Sequence, residues 1–298
     1  MLYNVNNSFF YYDEPIYLIR DYYYSIVNLI IKILDTRPNL NIMLCNNFNF
    51  NNSNKTIKID INYEHTLVKK EGRDIPVGTP FGKVKDNNNP YLVRICNYPI
   101  LNNADIIIDY SIPNIYNVST CELFNEFTKK HLYITPSIYE LYYTKENRNI
   151  LSLSSFINTN ETRRKTLLNK LKENQINHTN INDCFEKNKL QDILKRTKIL
   201  INVHQTPHHH TFEELRVLPA LECGVIVISE KAPLNELIPY NDLIIWVNYD
   251  DIINKLIEVL NNYEDYHEKI FSIENKIILN SLSGNNYDSL YNKIKNII

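Results

Sequence analysis

The sequence predicts an α/β protein made of two domains, and three observations support this prediction. The chain has 298 residues, which is enough for two domains of about 150 residues each. Short apolar runs rich in β-branched residues alternate with segments of helical periodicity, the pattern of sheets flanked by helices. One stretch, residues 198–230, predicts a strand, a loop, a helix and a strand, with about the length of a βαβ crossover.

The composition excludes several classes of partner and location. The net charge is −2 and the charges are interspersed, which argues against nucleic acid as a partner. Five scattered cysteines without a C-x-x-C pair favour free thiols in a reducing, cytoplasmic compartment. The start MLYNVNNSFF lacks the features of a signal peptide, and no apolar run is long enough for an integral membrane segment. Abundant Asn, Ile, Lys and Tyr with only five Gly indicate an AT-rich genome, such as that of a large DNA virus or a protist.

Residues 1–146 are predicted to form the first α/β domain. The expected helices cover 15–35 and 121–130, and the expected strands cover 41–45, 55–63, 65–68, 91–97, 104–109 and 132–135. Asp109 ends a buried strand, and an acid at such a position can line a cleft. It is therefore a candidate base for an acceptor hydroxyl. The alternative is an aspartate that caps a helix or bonds a loop.

Residues 147–298 are predicted to form the second domain. Its expected strands cover 150–154, 176–181, 198–203, 225–229 and 243–247. Its expected helices cover 161–173, 187–196, 212–222, 233–238, 250–260 and 263–279, with a last helix after Gly284. The turn after the first strand contains Ser155, and Arg163 and Arg164 are the nearest cations. These arginines either face a ligand or form a solvated helix start.

The centre of the second domain is the loop HQTPHHH, residues 204–210, between a buried strand and a helix. Thr211 is the expected N-cap, with Glu214 in capping-box position, and Gly224 is expected at positive φ after the helix. A loop at the carboxyl end of a parallel strand, beside a helix N-terminus, is a typical place for an anion, above all a phosphate. Arg216, within the first turns, can add a planar fork of donors.

The four histidines of this loop do not have the spacing of a metal site. A loop fixes no i, i+4 geometry, and neither a Cys nor a second carboxylate is placed to complete a zinc site. We therefore predict no metal ligand. Hydrogen bonds to a donor or acceptor substrate are the favoured interpretation, with His204 as the strongest candidate because it ends a buried strand. An exposed loop is the alternative.

The run TFEELRVLPALECGVIVIS resembles the donor-site signature of GT-B glycosyltransferases, in which an E-x7-E helix ends in Cys-Gly-Val or Ala-Gly-Val. The resemblance is specific over residues 198–230 and weaker over 149–262. It implies two Rossmann-like domains that face each other across a cleft, an acceptor-side domain and a nucleotide-sugar-binding domain, with the last helix crossing back to the first. Aligned on Cys223-Gly224, the second Glu of the family falls at Pro219; aligned on E-x7-E, it falls at Glu222.

The resemblance implies a glycosyltransferase, a hexosyl- or related transferase. Such an enzyme moves a sugar from a nucleotide-diphosphate sugar to a hydroxyl of a glycan, a protein or a small molecule, and we expect no obligatory metal or other cofactor. Catalytic roles are expected for His204, Glu214 and Asp109. Donor or nucleotide binding is expected for Ser155, Arg163, Arg164, Gln205, His209, His210, Thr211, Phe212, Arg216 and Glu222.

Two other functions remain open. Pro219, at a position where the family usually has Glu, suggests a nucleotide-sugar-binding protein that has lost catalysis. A structural or partner-binding α/β protein, whose His-rich loop is only surface, is the other alternative.

Overall fold

The computed structural model describes residues 1–44, 56–69, 83–86, 89–96, 98–183, 189–207 and 212–298. The chain divides into two compact units. The first unit contains residues 1–135 and 283–298, and the second contains residues 136–282. Residues 136–146, predicted to belong to the first domain, therefore lie in the second unit.

The first unit is built on a parallel sheet with one antiparallel edge strand. Its strands are β1 (Leu2–Val5), β2 (Ser8–Tyr12), β3 (Asn41–Leu44), β4 (Thr56–Asn62), β5 (Leu67–Lys69), β6 (Lys83–Asp86), β7 (Asn89–Val93), β8 (Ile106–Asp109) and β9 (His131–Tyr133). The main sheet has the order β1-β2-β3-β4-β8-β9, and only β1 is antiparallel. Strands β5, β7 and β6 form a small antiparallel sheet of their own.

The helices of the first unit are α1 (Arg20–Thr36), α2 (Tyr98–Leu101), α3 (Ile112–Ser119), α4 (Asn125–Lys130) and α11 (Asn286–Lys295). Helix α1 buries Ile26, Ile30 and Ile33, residues at helical spacing, as the periodicity of 15–35 predicts. It begins later than predicted, at Arg20, because a 3₁₀ turn precedes it.

Helix α11, the last helix of the chain, belongs to this first unit. Its first residue, Asn286, pairs with Thr135 through both ends of its amide: Thr135 N–H donates to Oδ1 and Nδ2 donates to the Thr135 carbonyl, each over 3.0 Å. Leu290 and Ile294 on the same helix are buried. The helix is thus fixed by directional hydrogen bonds at its start and by apolar burial along its length.

The second unit is a parallel sheet with helical crossovers. Its strands are β10 (Ile150–Ser154), β11 (His178–Asn180), β12 (Thr197–Asn202), β13 (Ile226–Glu230) and β14 (Ile244–Val247). Its helices are α5 (Thr162–Glu173), α6 (Lys189–Lys195), α7 (Glu214–Glu222), α8 (Ile252–Asn261), α9 (Tyr263–Ile270) and α10 (Ile273–Ser281). All neighbours pair in parallel in the order β11-β10-β12-β13-β14.

This strand order places a topological switch point between β10 and β12. The chain leaves β10 toward one side to form β11 and returns past it to form β12. In open α/β sheets, the crevice outside the carboxyl ends of the strands at such a point is where ligands bind. The residues that matter are therefore those after Ser154 and Asn202, the last residues of the two strands.

Two predicted helices of the second unit differ from the observed ones. The helix predicted over 233–238 is a single 3₁₀ turn at Asn235–Leu237. The helix predicted over 263–279 is broken into α9 and α10, and Ser272 begins the second part as its N-cap, accepting a hydrogen bond from Asn275 N–H over 3.4 Å. An N-cap serine satisfies a backbone donor only where a new helix starts.

Gly224 has the predicted conformation, with φ of 69° directly after the C-cap of α7. A Cβ at this position would lie 2.6 Å from Nη2 of Arg148 and 2.6 Å from the carbonyl oxygen of Tyr142. Glycine is therefore required here both for the backbone conformation and for the space.

None of the helices in the described parts of the chain combines the length and apolar character that a membrane crossing requires.

Candidate functional site

The carboxyl edge of the second sheet brings together two helix starts and several charged side chains. Helix α5 begins at Thr162, after β10, and helix α7 begins at Glu214, after β12. Neither N-cap residue, Glu161 or Glu213, donates or accepts a capping bond through its side chain. Each helix therefore places the positive end of its dipole at this edge. At the start of α7, however, the N–H groups of Glu214 and Arg216 already donate to the carbonyls of Phe212 and Glu213.

Arg164, on the first turn of α5, is a buried cation. Only 5% of its surface is exposed, and its Nε has no hydrogen-bond partner. Its guanidinium lies 4.8 Å from the centre of the Phe156 ring. Among the described residues no carboxylate forms an ion pair with it. The pKa of Arg164 is lowered to about 10, first by burial and then by the nearby charge of Arg216, while the carboxylates of Glu213 and Glu161 act in the opposite direction. Arg164 therefore stays charged at neutral pH.

Arg216, the second cation of this edge, is held by the ends of two strands. Its Nη1 donates to Oδ1 of Asn202 over 2.7 Å, and Nδ2 of Asn202 donates to the Ser229 hydroxyl over 3.0 Å. These two residues lie side by side in the register of β12 and β13. The hydrogen bonds fix the direction of a long, flexible side chain, so the Arg216 charge has a defined place beside Arg164.

Arg163, in contrast to Arg164, has an anionic partner. Its guanidinium forms an ion pair with the Glu230 carboxylate at the end of β13 and lies 4.3 Å from the centre of the Tyr249 ring. The Tyr249 hydroxyl donates to the Arg163 carbonyl over 2.6 Å. The charge of Arg163 is thus neutralised within the protein, and its side chain serves to connect α5 with β13.

His204 follows β12 and is also connected to Glu230. Its backbone N–H donates to Oε2 of Glu230 over 3.1 Å, and its Nε2 lies 3.2 Å from the carbonyl oxygen of Lys231. A carbonyl can only accept, so this contact requires the tautomer with the proton on Nε2. The side chain is 4% exposed, which makes His204 a well-positioned residue at the root of the His-rich loop.

The remaining predicted residues around the start of α7 have different environments. Glu214 is wholly buried and accepts a hydrogen bond from the Tyr240 hydroxyl over 2.8 Å. Phe212 is 1% exposed and its ring packs against Trp246 at 4.9 Å between centres. Both side chains belong to the packed interior. The helix begins at Glu214 with Glu213 as its N-cap, so Glu214 does not occupy the predicted capping-box position.

Ser155 and Gln205 lie on the two loops of the switch point, after β10 and β12. Ser155 is 7% exposed, and no residue in the described ranges bonds its hydroxyl. Gln205 is partly exposed. The predicted residues His209, His210 and Thr211 lie outside the described residues.

Glu222 lies away from the other predicted site residues of the second unit. It is the last residue of α7, and because α7 runs back between two parallel strands, this end lies at the amino edge of the sheet. Its carboxylate accepts from Ile138 N–H over 3.0 Å, from Tyr139 N–H over 2.9 Å and from the Ser137 hydroxyl. Burial raises its pKa to about 7 in spite of these bonds. Glu222 fastens the segment that enters the second unit, a role unlike the predicted donor contact.

Asp109, the predicted base, lies in the first unit and is 0% exposed. Its carboxylate accepts from Nδ2 of Asn62 over 2.7 Å, from Ser111 N–H over 2.9 Å and from Nδ2 of Asn114 over 3.2 Å. Burial raises its pKa to about 7. The side chain is enclosed and does not line a cleft. Asp109 is therefore not the predicted base that lines a cleft. It bonds the loop after its strand, which is the other interpretation of the sequence.

Sequence comparison supplies a relative for this chain, although no family model matches it. The chain is 30% identical over 203 residues to "Uncharacterized protein R358" of Acanthamoeba polyphaga mimivirus, a match that covers 66% of this chain and 68% of the relative. The chain belongs to the R358 family. Of the two sources that the composition suggests, a large DNA virus or a protist, this viral relative supports the first.

Structural comparison of this R358-family chain finds the crystal structure of TarM, a glycosyltransferase. The TM-score is 0.51 and the sequence identity 11%, and the match covers 85% of this chain and 54% of TarM. The chain therefore spans about half the length of TarM. At this identity the likeness shows a glycosyltransferase-like fold, a mixed α/β architecture with parallel sheets.

Asn202 and Ser229, which position Arg216 in this R358-family chain, are not among the predicted site residues. Their signal was present: each is a polar residue at or near the carboxyl end of an otherwise apolar strand, in the runs KILIN and IVIS. A polar residue at that end of a parallel strand faces the ligand crevice.

Within the described ranges, no group of three or more His, Cys, Asp or Glu side chains could hold a metal ion.

Proposed function

We propose that the second unit binds the diphosphate of a nucleotide sugar at the switch point between β10 and β12, and that the chain transfers the sugar to an acceptor hydroxyl. One observation above all supports this proposal. Arg164 is a charged guanidinium, 5% exposed, without an ion-pair partner in the described structure, and a second cation, Arg216, lies close enough to lower its pKa.

The free energy of this arrangement favours an anion. Burial of an unpaired charge costs several kcal/mol, and the neighbouring positive charge of Arg216 adds to this cost. The contact of Arg164 with the Phe156 ring offsets about 0.5–2 kcal/mol, which is only a part. The carboxylates of Glu213 and Glu161 attract Arg164 without forming an ion pair with it in the described structure, and a diphosphate would supply the direct anionic partner. The guanidinium forks match phosphate oxygens, and the start of α5 would add backbone donors.

The same groups would assist the reaction itself. Negative charge develops on the nucleotide diphosphate as the bond to the sugar breaks, and preorganised cations and N–H groups stabilise such charge without reorganisation. Arg164 and Arg216 would do this in place of a metal ion. His204, whose backbone and ring are both held, would orient the loop that contacts the sugar. The acceptor would be a hydroxyl of a glycan, a protein or a small molecule.

The test is a panel of nucleotide-diphosphate sugars with uracil, guanine and thymine bases, offered to the purified chain with and without EDTA. Two quantities are measured: the shift in melting temperature and the release of free nucleotide. Stabilisation with release in the presence of EDTA is the expected result. Stabilisation without release would instead indicate a binding protein that has lost catalysis.

The variant Arg164→Met tests the assignment of the site. It keeps the apolar stem against Phe156 and removes the charge, so it should lose nucleotide stabilisation. Arg196→Met, the same change at an exposed arginine of the same unit, is the control and should respond as the wild type does. A wild-type chain that no member of the panel stabilises would overturn the proposal, and so would an Arg164→Met chain that responds normally.

A further inference from the structure

A polar network lies beside the proposed anion site, on the outer pair of strands. Ser152 and Ser154 of β10 pair with His178 and Asn180 of the edge strand β11 in parallel register. The four side chains alternate along their strands, so they share one face of the sheet. Both serines are wholly buried. Buried hydroxyls need hydrogen-bond partners, because an unsatisfied buried polar group is costly.

The hydrogen bonds of this network have a fixed direction. Ser154 Oγ donates to Oδ1 of Asn180 over 2.7 Å and lies 2.9 Å from Nε2 of His178. Because the only hydroxyl proton of Ser154 is used, Nε2 must donate to it. Nδ1 of His178, 2.6 Å from Ser152 Oγ, must then accept. Burial lowers the pKa of His178 to about 4, so the neutral ring required by this chain is the form present at neutral pH.

The Asn180 side chain also holds the loop after β10 in place. The last backbone bond between the strands runs from Ile181 N–H to the Ser154 carbonyl over 2.8 Å. Beyond it, the Asn180 amide bonds the next part of the loop: it accepts from Phe156 N–H over 2.9 Å and donates to the Phe156 carbonyl over 3.1 Å. The side chain thus extends the ladder into the turn and fixes Phe156.

The ring of Phe156 forms a cation–π contact with the Arg164 guanidinium. This ring is 0% exposed and its centre lies 4.8 Å from the Arg164 guanidinium carbon. The Arg164 side chain makes no hydrogen bond in the described structure, so this ring contact contributes directly to its position. The geometry points to Asn180 as a positioning residue for the anion site, acting through Phe156 on Arg164. This inference rests on the proposed function of that site.

The experiment uses Asn180→Ala and two measurements. The first is the rate at which phenylglyoxal modifies Arg164, followed by mass spectrometry, with Arg148 as the internal standard, since it is equally buried but held by several backbone carbonyls. The second is the affinity for inorganic pyrophosphate by calorimetry. We expect several-fold faster modification of Arg164 alone, and binding about ten-fold weaker, the scale at which supporting contacts tune metal ligands.

Two further variants keep the test decisive. Asn174→Ala changes an exposed asparagine that only bonds the end of α5, so it should match the wild type in both measurements. Asn180→Asp keeps the acceptor for Phe156 N–H but cannot donate to the Phe156 carbonyl, and it should show a smaller acceleration. It also serves as the reporter if Asn180→Ala does not fold.

The outcomes separate this inference from the proposed function. An unchanged modification rate of Arg164 in the Asn180 variants would overturn the positioning role, whatever the affinity for pyrophosphate. Faster modification in a protein whose wild type does not bind pyrophosphate would support the positioning role and count against the anion site.

Discussion

Nη1 of Arg216 and Oδ1 of Asn202 lie 2.7 Å apart, and this hydrogen bond joins the first turn of α7 to the last residue of β12. Asn202 in turn donates to Ser229 on the neighbouring strand. The direction of the arginine therefore depends on the ends of two strands. A cation held in this way is preorganised for a ligand, because its conformational entropy is already lost before binding.

Arg216→Ala should abolish the stabilisation of the chain by nucleotides and leave the fold intact. Asn202→Ala keeps the charge of Arg216 but removes the hydrogen bond that fixes the direction of its side chain. This variant should therefore bind the nucleotide about ten-fold more weakly, a loss of about 1.4 kcal/mol. Calorimetric titration of the nucleotide that stabilises the wild type measures both effects. Arg196→Ala is the matched control. Equal affinity in the wild type and in Arg216→Ala would remove Arg216 from the site.

Arg164→Met should make the unliganded chain more stable. The substitution removes a buried charge that forms no ion pair in the described structure, and the attraction of Glu213 and Glu161 and the contact with Phe156 offset only a part of the cost of its burial. We expect the free energy of unfolding in urea to rise by about 1–2 kcal/mol, while nucleotide binding is lost. A decrease in stability would show that the guanidinium has a stabilising partner in the unliganded protein.

Glu222→Gln should reduce the dependence of stability on pH. The pKa of Glu222 is raised from 4.5 to about 7, so between these values the folded state binds the proton and the unfolded state releases it. Stability contributed by the protonated form is present below pH 4.5 and is lost as the pH rises to 7. The variant lacks this loss, which amounts to roughly 3 kcal/mol.

Urea unfolding of both proteins at pH 5 and pH 8 measures this difference. Glutamine can accept from Ile138 and Tyr139 through one atom and donate to Ser137 through the other, so the structure should tolerate it. Asp109, whose pKa is also raised to about 7, contributes equally to both proteins and cancels in the comparison. If the free energy of unfolding changed by the same amount between pH 5 and pH 8 in both proteins, the prediction would be wrong.

Gly224→Ala should destabilise the chain by about 2–3 kcal/mol. The backbone has φ of 69°, and the new Cβ would lie 2.6 Å from both the Tyr142 carbonyl oxygen and Nη2 of Arg148. Arg148 cannot move away freely, since that nitrogen donates to the Cys223 carbonyl over 2.6 Å. Thermal and urea unfolding measure the effect, with Gly284→Ala as the control. A variant as stable as the wild type would show that the backbone can relax here.

The sequence was sufficient to predict features that depend on local periodicity. The strand, loop, helix and strand around residues 198–230 and the conformation of Gly224 are examples, because each follows from burial or backbone sterics within a few residues. The difference between Arg163 and Arg164 could not be predicted. Adjacent residues on a helix point about 100° apart, so a shift of one residue in the start of α5 would exchange the paired and the unpaired cation.

Two other differences have long-range causes. Asp109 owes its burial to partners such as Asn62, 47 residues away in the chain, which no local pattern reveals. Glu222 matches the spacing of the E-x7-E motif, but eight residues of helix span about 12 Å. One end of α7 therefore lies at the carboxyl edge of the sheet and the other at the amino edge, so the spacing alone does not show whether both acids reach one ligand.

Helix α11 belongs to the first unit although the whole second unit precedes it in the chain. During synthesis, residues 1–135 leave the ribosome without the helix that pairs with Thr135 through Asn286. The second unit, continuous from 136 to 282, is complete before that helix exists. Because domains fold as units when all their segments are available, we expect the second unit to reach its native state first. The order of folding would then be the reverse of the order of translation.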